Sequence, residues 1–459
     1  MDFQKETRGP FNTRIVLKPP ATHLDAPSNQ WCRGERAKTA MHKLKSILFQ
    51  SLIWCVLVEA RVLGVFLNRT PAHSRRVAVL EPCPTSIDSD GDEALIEGTC
   101  RFLNERTGTV VALLSFYDQY RGRMPARTEY GGSLYRQFES GLKRTSRCFS
   151  WPLLLARYDE LYIIGADLID GYYSPSISRF LFLLLRISAR MGIKGHLISC
   201  SFNPSPPESV RRAARKMLCE TRVHARDAYS AERLSALLKR PVSHSADVAF
   251  GLLPECTDHS LQIVNWIRSQ ESFGRRVIAL NVNLLPITMQ LAGRENEYVR
   301  QWGQWLKELT GQKLSFVFLP HDYRGEWSDE VALASLFERA LPDTRCCCFL
   351  PNARLHAAEI KYVVSNCFLV VTGRMHLAIA SMGAGVPVIA YAYQSKFEGT
   401  LRLFGIESCV RPILGIFKCV GDEVAFALEV ANKVERLRSL VHSHSDEVLA
   451  LARRNIVHG

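Results

Sequence analysis

The chain has no paired CxxC motifs and no cluster of cysteine with histidine, so its 14 cysteines carry no zinc-type signature. Cys346-Cys347-Cys348 falls in what reads as a buried strand, and the expectation is free thiols in a reducing cytoplasm. No RNA- or DNA-binding motif is present either, although the net charge of +13 suggests one at first. The charge is unevenly placed. Residues 1–76 hold 13 Lys and Arg against 5 Asp and Glu, which leaves only +5 for the other 383 residues. A mildly basic body suits anionic small substrates better than nucleic acid. A cleavable signal peptide is not expected either, because the first apolar run lies far from Met1 and has no clear cleavage site.

That run, residues 47–67, is long enough to cross a bilayer but is interrupted by Gln50, Ser51, Glu59 and Arg61. Three readings stay open: a helix packed on the folded body, an interfacial membrane helix giving peripheral membrane contact, and a true span. Residues 1–40 mix Pro, Asn, Arg and Lys without an apolar period and read as a disordered basic extension. Residues 41–75 then form an amphipathic, hydrophobic helical segment.

From Arg76 onward short apolar runs alternate with amphipathic stretches, the pattern of an open parallel sheet covered on both faces. Expected strands are 77–80, 110–115, 161–165, 195–201 and 223–226. After a connection at 251–274, a second set follows at 277–282, 315–319, 347–350, 368–371 and 386–390. Helices over about 422–454 close the chain. The reading is α/β, with two doubly wound Rossmann-like domains, 76–250 and 275–459, facing a cleft. In such sheets ligands bind beyond the carboxyl ends of the strands.

The most informative segment runs from Phe368 to Gly399. An apolar strand breaks at Thr372-Gly373, and Arg374 and His376 follow where a small-residue helix should begin. Free N–H groups and the helix dipole attract anions at such a place. Arginine adds a planar fork for phosphate or carboxylate, and histidine a group that moves protons near neutral pH. Other candidates also lie where strands should end. They are Arg226-Asp227, Asp167, His321-Asp322, Asn281 with Asn283, and Lys396 after Tyr393. Each has a plainer reading as a cap, a loop contact or an exposed side chain. Gly91-Asp92-Glu93-Ala94 follows the first strand. Its acidic pair excludes a Walker-type phosphate cradle, and it makes Asp92 a helix cap or acceptor contact and Glu93 a candidate base. The composition of residues 117–132 suits sugar stacking.

The motif Thr372-Gly373-Arg374-Met375-His376, the Ala378–Pro387 pattern and Tyr393 with Lys396 resemble the polysaccharide pyruvyl transferase family. Weaker matches in order extend the resemblance over roughly residues 77–403. Among them are Arg226-Asp227-x-x-Ser230 and the Gly91–Ala94 turn. Two departures stand out: Ser89 where the family has Asn, and Gly165-Ala166-Asp167 where it commonly has a glycine run. The resemblance implies a glycosyltransferase-B-like architecture and transfer of a pyruvyl group from phosphoenolpyruvate onto sugar hydroxyls. It implies phosphoenolpyruvate as co-substrate, with no metal or other cofactor. The acceptor would be a glycan or a lipid- or nucleotide-linked sugar. On that basis Arg226, Arg374, His376 and Lys396 are expected at the donor. His376, Arg374 and Glu93 are expected in catalysis, and Asp92, Asp167, His321 and Asp322 on the acceptor side. The implied location is the cytoplasm, at the inner face of a membrane if residues 47–67 touch one. Two alternatives remain. One is a nucleotide-sugar glycosyltransferase with Glu398 as its sugar-binding acid; the other is a non-catalytic member of a glycan-assembly complex.

Overall fold

The computed structural model describes residues 55–62, 74–82, 88–116, 122–134, 150–326, 328–340, 345–393 and 396–456. The expected extension 1–40, most of segment 41–75, and Tyr117, Tyr120 and Arg121 lie outside them. Of the run 47–67, residues 55–62 are helical, with Val56 and Ala60 buried one turn apart and Val58 and Val62 exposed. Among the described residues no helix is long and apolar enough to cross a membrane.

The first half is built on β1 (Arg75–Leu80), α1 (Asp90–Asn104), β2 (Thr109–Ser115), β3 (Thr128–Ser133), α2 (Ser150–Leu155) and β4 (Glu160–Ala166). It continues through α3 (Pro175–Arg190), β5 (Lys194–Cys200), α4 (Glu208–Met217), β6 (Arg222–Ala225), α5 (Ala228–Leu238) and β7 (Ser243–His244). The second half holds α6 (Asp258–Ser272), β8 (Arg276–Asn281), α7 (Leu285–Gln290), α8 (Glu295–Thr310), β9 (Leu314–Phe318), α9 (Asp329–Ala340), β10 (Cys348–Phe349) and α10 (Ala357–Ser365). After these come β11 (Leu369–Thr372), α11 (Met375–Gly383), β12 (Val388–Ala392), α12 (Lys396–Arg402), β13 (Val410–Pro412), α13 (Gly415–Lys418), α14 (Val420–Asn432) and α15 (Val434–Arg453).

The two sheets share one topology. The first runs β3-β2-β1-β4-β5-β6-β7 and the second β10-β9-β8-β11-β12-β13, with every pairing between these strands parallel. The order reverses at β1/β4 and again at β8/β11, and a crevice opens at the carboxyl ends of these strands in each sheet. Central strands are mainly apolar because helices cover both faces; β4 and β11 are buried at every position. Caps set the helix starts. Ser174 accepts from the Ile177 N–H, with Pro175 pre-set at the first turn. Asp227 accepts from the Ser230 N–H, and Thr257 forms a capping box with Ser260.

Three expectations need correction. The stretch 251–274, expected as a connection, carries α6, a 15-residue helix that packs on β8 and α10 in the second half. The strand expected at 386–390 starts two residues later, at Val388, because Pro387 has no N–H for the ladder. Residues 128–133, absent from the expected strands and overlapping the stretch 117–132 read for sugar stacking, form edge strand β3, whose Gly131 and Gly132 hide it from propensity. A side chain at Gly131 would lie 2.5 Å from the Tyr158 hydroxyl, which donates to the Gly131 carbonyl at 3.0 Å.

The end of the chain returns to the first sheet. Asn455 Oδ1 accepts from the Ser199 N–H at 2.8 Å and from the Ser245 hydroxyl at 3.1 Å, while its Nδ2 donates to the Ala246 carbonyl at 2.7 Å. Ser199 has a left-handed backbone (φ 51°) at the irregularity in β5, so its N–H leaves the ladder and Asn455 satisfies it.

Candidate active site

Loops at the carboxyl ends of both sheets meet where α1 begins. Ser89 makes an isolated β-bridge with Asp322, the Asp90 N–H donates to the His321 carbonyl at 3.1 Å, and the Tyr323 N–H donates to the Asp88 carbonyl at 2.8 Å. Arg354 reaches Asp88 at 3.1 Å and Asp90 at 3.2 Å. The Glu93 carboxylate accepts from the Ala357 N–H at 3.2 Å and contacts His356 Nδ1 at 3.1 Å. Glu93 therefore caps α10 across the two halves, and the backbone chemistry of α1 closes the cleft on this side.

The expected donor residues fall into two groups. Arg226, His376 and Lys396 come together with Asp167 and Asp247. Arg226 is fully buried; its Nε donates to Ser201 at 2.7 Å and its Nη1 to Asp247 Oδ2 at 2.8 Å. Lys396 Nζ donates to Asp167 Oδ2 at 2.6 Å and lies 5.1 Å from the centre of the Tyr393 ring. His376 Nε2 is 3.9 Å from Asp247 Oδ2, too far for a hydrogen bond, and has no partner. The ring stands against the backbone of α1, where a Cβ at Gly91 would lie 2.3 Å from His376 Nδ1. Only glycine at 91 lets the histidine reach this position.

Arg374 is held apart from that group. Its Nε and Nη2 bind the Asp329 carboxylate at 2.7–3.1 Å, and its Nη1 binds Asp322 Oδ2 at 3.0 Å. Thr372 and Asn281 brace the same turn: the Arg374 N–H donates to Thr372 Oγ1, whose hydroxyl donates to Asn281 Oδ1. Asn281 also donates to Asp329, and Asn283 to the Gly373 carbonyl. The arginine expected as the first anion ligand is thus a clamp between two buried carboxylates. Nothing near Arg374 in the chain announces this contact, because Asp329 lies 45 residues away at the start of α9.

Charge balance sets the protonation states. Burial would raise the Asp167 carboxyl, but Lys396, then Arg226 and His376, outweigh it and hold it well below the carboxylate range. Burial lowers His376 to about 4, and Arg226 and Lys396 push the same way against Asp247 and Asp167. Burial lowers His321 to about 3, helped by His376 and Arg374. Asp322 is also buried, yet Arg324 and Arg374 bring it below its ordinary value. Asp92 behaves differently. Burial pushes it up to about 7, and Asp167, Asp322 and Glu81 add to the rise against a distant Arg324 at 4.0 Å. Glu81, at the carboxyl end of β1, is also pushed up to about 7 by burial. These two carboxyls are the groups near the cleft poised for proton transfer near neutral pH.

Asp247, Ser201, Asp329 and Glu81 escaped the sequence reading because their partners come from other strands. Tyr172 and Tyr173 were also missed. They are exposed beside the cleft, and the Tyr173 hydroxyl lies 3.4 Å from Asp167 Oδ2. Their only sequence signal is a paired aromatic one turn beyond a strand end. Among the described residues no group of three or more His, Cys, Asp or Glu is placed to hold a metal.

The family model of the polysaccharide pyruvyl transferases matches residues 91–395, from the start of α1 to the edge of α12. The chain belongs to this family. The match includes Asp92, Asp167, Arg226, Asp247, Arg374 and His376 and stops one residue short of Lys396. No curated protein matches the chain in sequence. In structure it is similar to S. aureus MnaA bound to UDP (TM-score 0.53, 10% identity, 83% of this chain and 94% of that one). It is also similar to Phytolacca americana UGT2 complexed with UDP-2-fluoro-glucose and pterostilbene (TM-score 0.52, 12% identity, 82% and 95%). At these identities the likeness shows the fold, two parallel-sheet Rossmann-like halves of glycosyltransferase-B type.

Proposed function

We propose that this pyruvyl transferase family member moves a pyruvyl group from phosphoenolpyruvate onto two hydroxyls of a sugar in a polysaccharide or its lipid- or nucleotide-linked precursor. The observation that carries the reading is the convergence of Arg226, His376 and Lys396, which follow β6, β11 and β12 in two different halves. Three nitrogen groups around one point match a ligand with a phosphate and a carboxylate on three carbons.

In this reaction the donor's anions take over Lys396 from Asp167 and engage the Nη2 of Arg226, which has no protein acceptor. The incoming negative charge raises His376, whose unpartnered Nε2 then delivers a proton to the donor's methylene carbon. The double bond is converted to a cationic C2. A sugar hydroxyl attacks it and gives its proton to Asp92, the C2–O bond to phosphate breaks, and a neighbouring hydroxyl closes the ketal and gives its proton to the departing phosphate. Tyr172 and Tyr173 supply an aromatic wall for the acceptor ring. Phosphoenolpyruvate is a co-substrate, and the reaction as written calls on no other group. The free thiols among the described cysteines support a cytoplasmic setting.

Calorimetric titration with phosphoenolpyruvate tests this. Saturable binding by wild type should weaken at least tenfold in Lys396→Ala. Equal binding by the two proteins would overturn the assignment. Arg374→Ala should instead lose about 3–5 kcal/mol of stability, because two buried carboxylates lose their cation. One observation favours a second reading, a nucleotide-sugar donor: Glu398 Oε2 is buried without a partner at the start of α12. Titration with UDP in the same cell distinguishes the two, since binding of UDP in place of phosphoenolpyruvate would favour the glycosyltransferase.

A further inference from the structure

A cavity of about 340 Å³ lies at the amino ends of β8 and β11, the opposite end of the second sheet from the cleft. Arg268, Arg275, Arg276 and Arg438 line it, with Glu271 the single carboxylate and Phe368 an aromatic wall. These arginines are held differently from those in the cleft. Arg275 donates from Nε to Ser315 Oγ at 2.7 Å and from Nη2 to the Thr310 carbonyl at 2.9 Å and the Leu314 carbonyl. Arg438 Nη2 donates to the carbonyls of Cys367 and Phe368 at 3.3 and 3.2 Å. Arg276 stacks on Phe368, its guanidinium carbon 4.8 Å from the ring centre. Neutral oxygens and an aromatic face fix these guanidiniums without cancelling their charge. Among the described residues none of the four arginines makes an ion pair, whereas Arg226, Arg374 and Lys396 in the cleft each do.

Four like charges around one small cavity repel each other unless an anion joins them. Among the described residues the Nη1 groups of Arg275 and Arg438 have no protein acceptor, which leaves donors for phosphate oxygens. We infer that this cavity is a second anion site, separate from the cleft, that takes a compact polyanion of diphosphate type. Such a group can belong to a small soluble molecule or to the head group of an anionic lipid. The chemistry is the same, and the experiment separates the two sources.

The probe is inorganic pyrophosphate, titrated into the full chain by calorimetry, with wild type compared to Arg268→Ala/Arg276→Ala. Both residues are exposed and lie outside the proposed active site, so the variant should fold and keep its basal turnover. An Arg211→Ala/Arg212→Ala protein, altered on α4, loses the same charge elsewhere. Pyrophosphate affinity should fall at least tenfold in the first variant and less than twofold in the second. In parallel, sedimentation with vesicles that carry a lipid with a diphosphate head group and with phosphatidylcholine vesicles reads the lipid source. Vesicle binding that needs the diphosphate lipid and is lost only in the Arg268/Arg276 variant supports the site even if free pyrophosphate binds weakly. Equal losses in both variants, or no loss in either, for both probes would overturn it.

Discussion

Asp92 and His376 are both partly buried titratable groups near the cleft, yet pH acts on them in opposite directions. Asp92 rises from its ordinary 3.8 to about 7, so between those values the folded chain holds a proton that the unfolded chain has released. Its contribution to stability is complete below about pH 4 and is lost as pH rises through about 7, at about 1.4 kcal/mol per pH unit. His376 falls from 6.5 to about 4, so its contribution is complete above 6.5 and is lost as pH falls through about 4. Asp92→Asn should therefore melt higher than wild type at pH 8 and close to it at pH 4, with turnover impaired at both. A melting difference independent of pH would refute the raised carboxyl. Little of this was visible in the sequence. Arg226, His376 and Lys396 could be picked out because each follows a strand. Their counter-charges could not, since Asp247 and Asp167 are 21 and 229 residues from their partners in the chain.

Helix α1 serves two purposes through two glycines. At Gly91 its first turn admits the His376 ring; at Gly98 its middle lies on the turn Val248–Gly251, where a Cβ would sit 2.1 Å from the Val248 carbonyl oxygen. Alanine at these two positions should separate the roles. Gly91→Ala should cut kcat at least tenfold with little change in melting temperature, because a partly buried ring must move. Gly98→Ala should cost about 1–3 kcal/mol of stability through overpacking and leave the kinetics of the folded enzyme unchanged. Thermal melts and steady-state rates on both proteins check this, and a matching pair of effects would overturn it. At this scale the sequence was readable where periodicity was strong. The apolar runs of β1, β4, β8 and β11 marked the central strands, and so also both switch points. Edge strands β3, β7 and β13 carried too few residues or too much glycine and proline to stand out, whereas edge strand β10 fell within the run expected at 347–350.

The closed contact between halves depends on few groups for so long a chain. Asp88 and Asp90 face Arg354, Asp90 Oδ2 has no hydrogen-bond partner, and burial pushes Asp90 well above its ordinary value in spite of Arg354. Arg354→Ala should leave the halves individually folded but speed hydrogen exchange at residues 88–93 and 320–323. Unchanged exchange there would show that the backbone bridge alone holds the closure. The doubly wound, two-sheet plan followed from βα alternation, but the hydrogen bonds from Asn455 to Ser199, Ser245 and Ala246 did not, because a single asparagine makes them.

That return has a consequence for how the protein is made. Ser199 leaves the ribosome long before Asn455, and until the last residues emerge its N–H has no protein partner. The first half to be synthesised is therefore the last to be completed. A nascent chain stalled anywhere in α15 would leave the bulge between β5 and β6 without the side chain that satisfies it. Asn455→Ala, which removes the side-chain amide that meets Ser199, would reproduce that vulnerability in the folded protein.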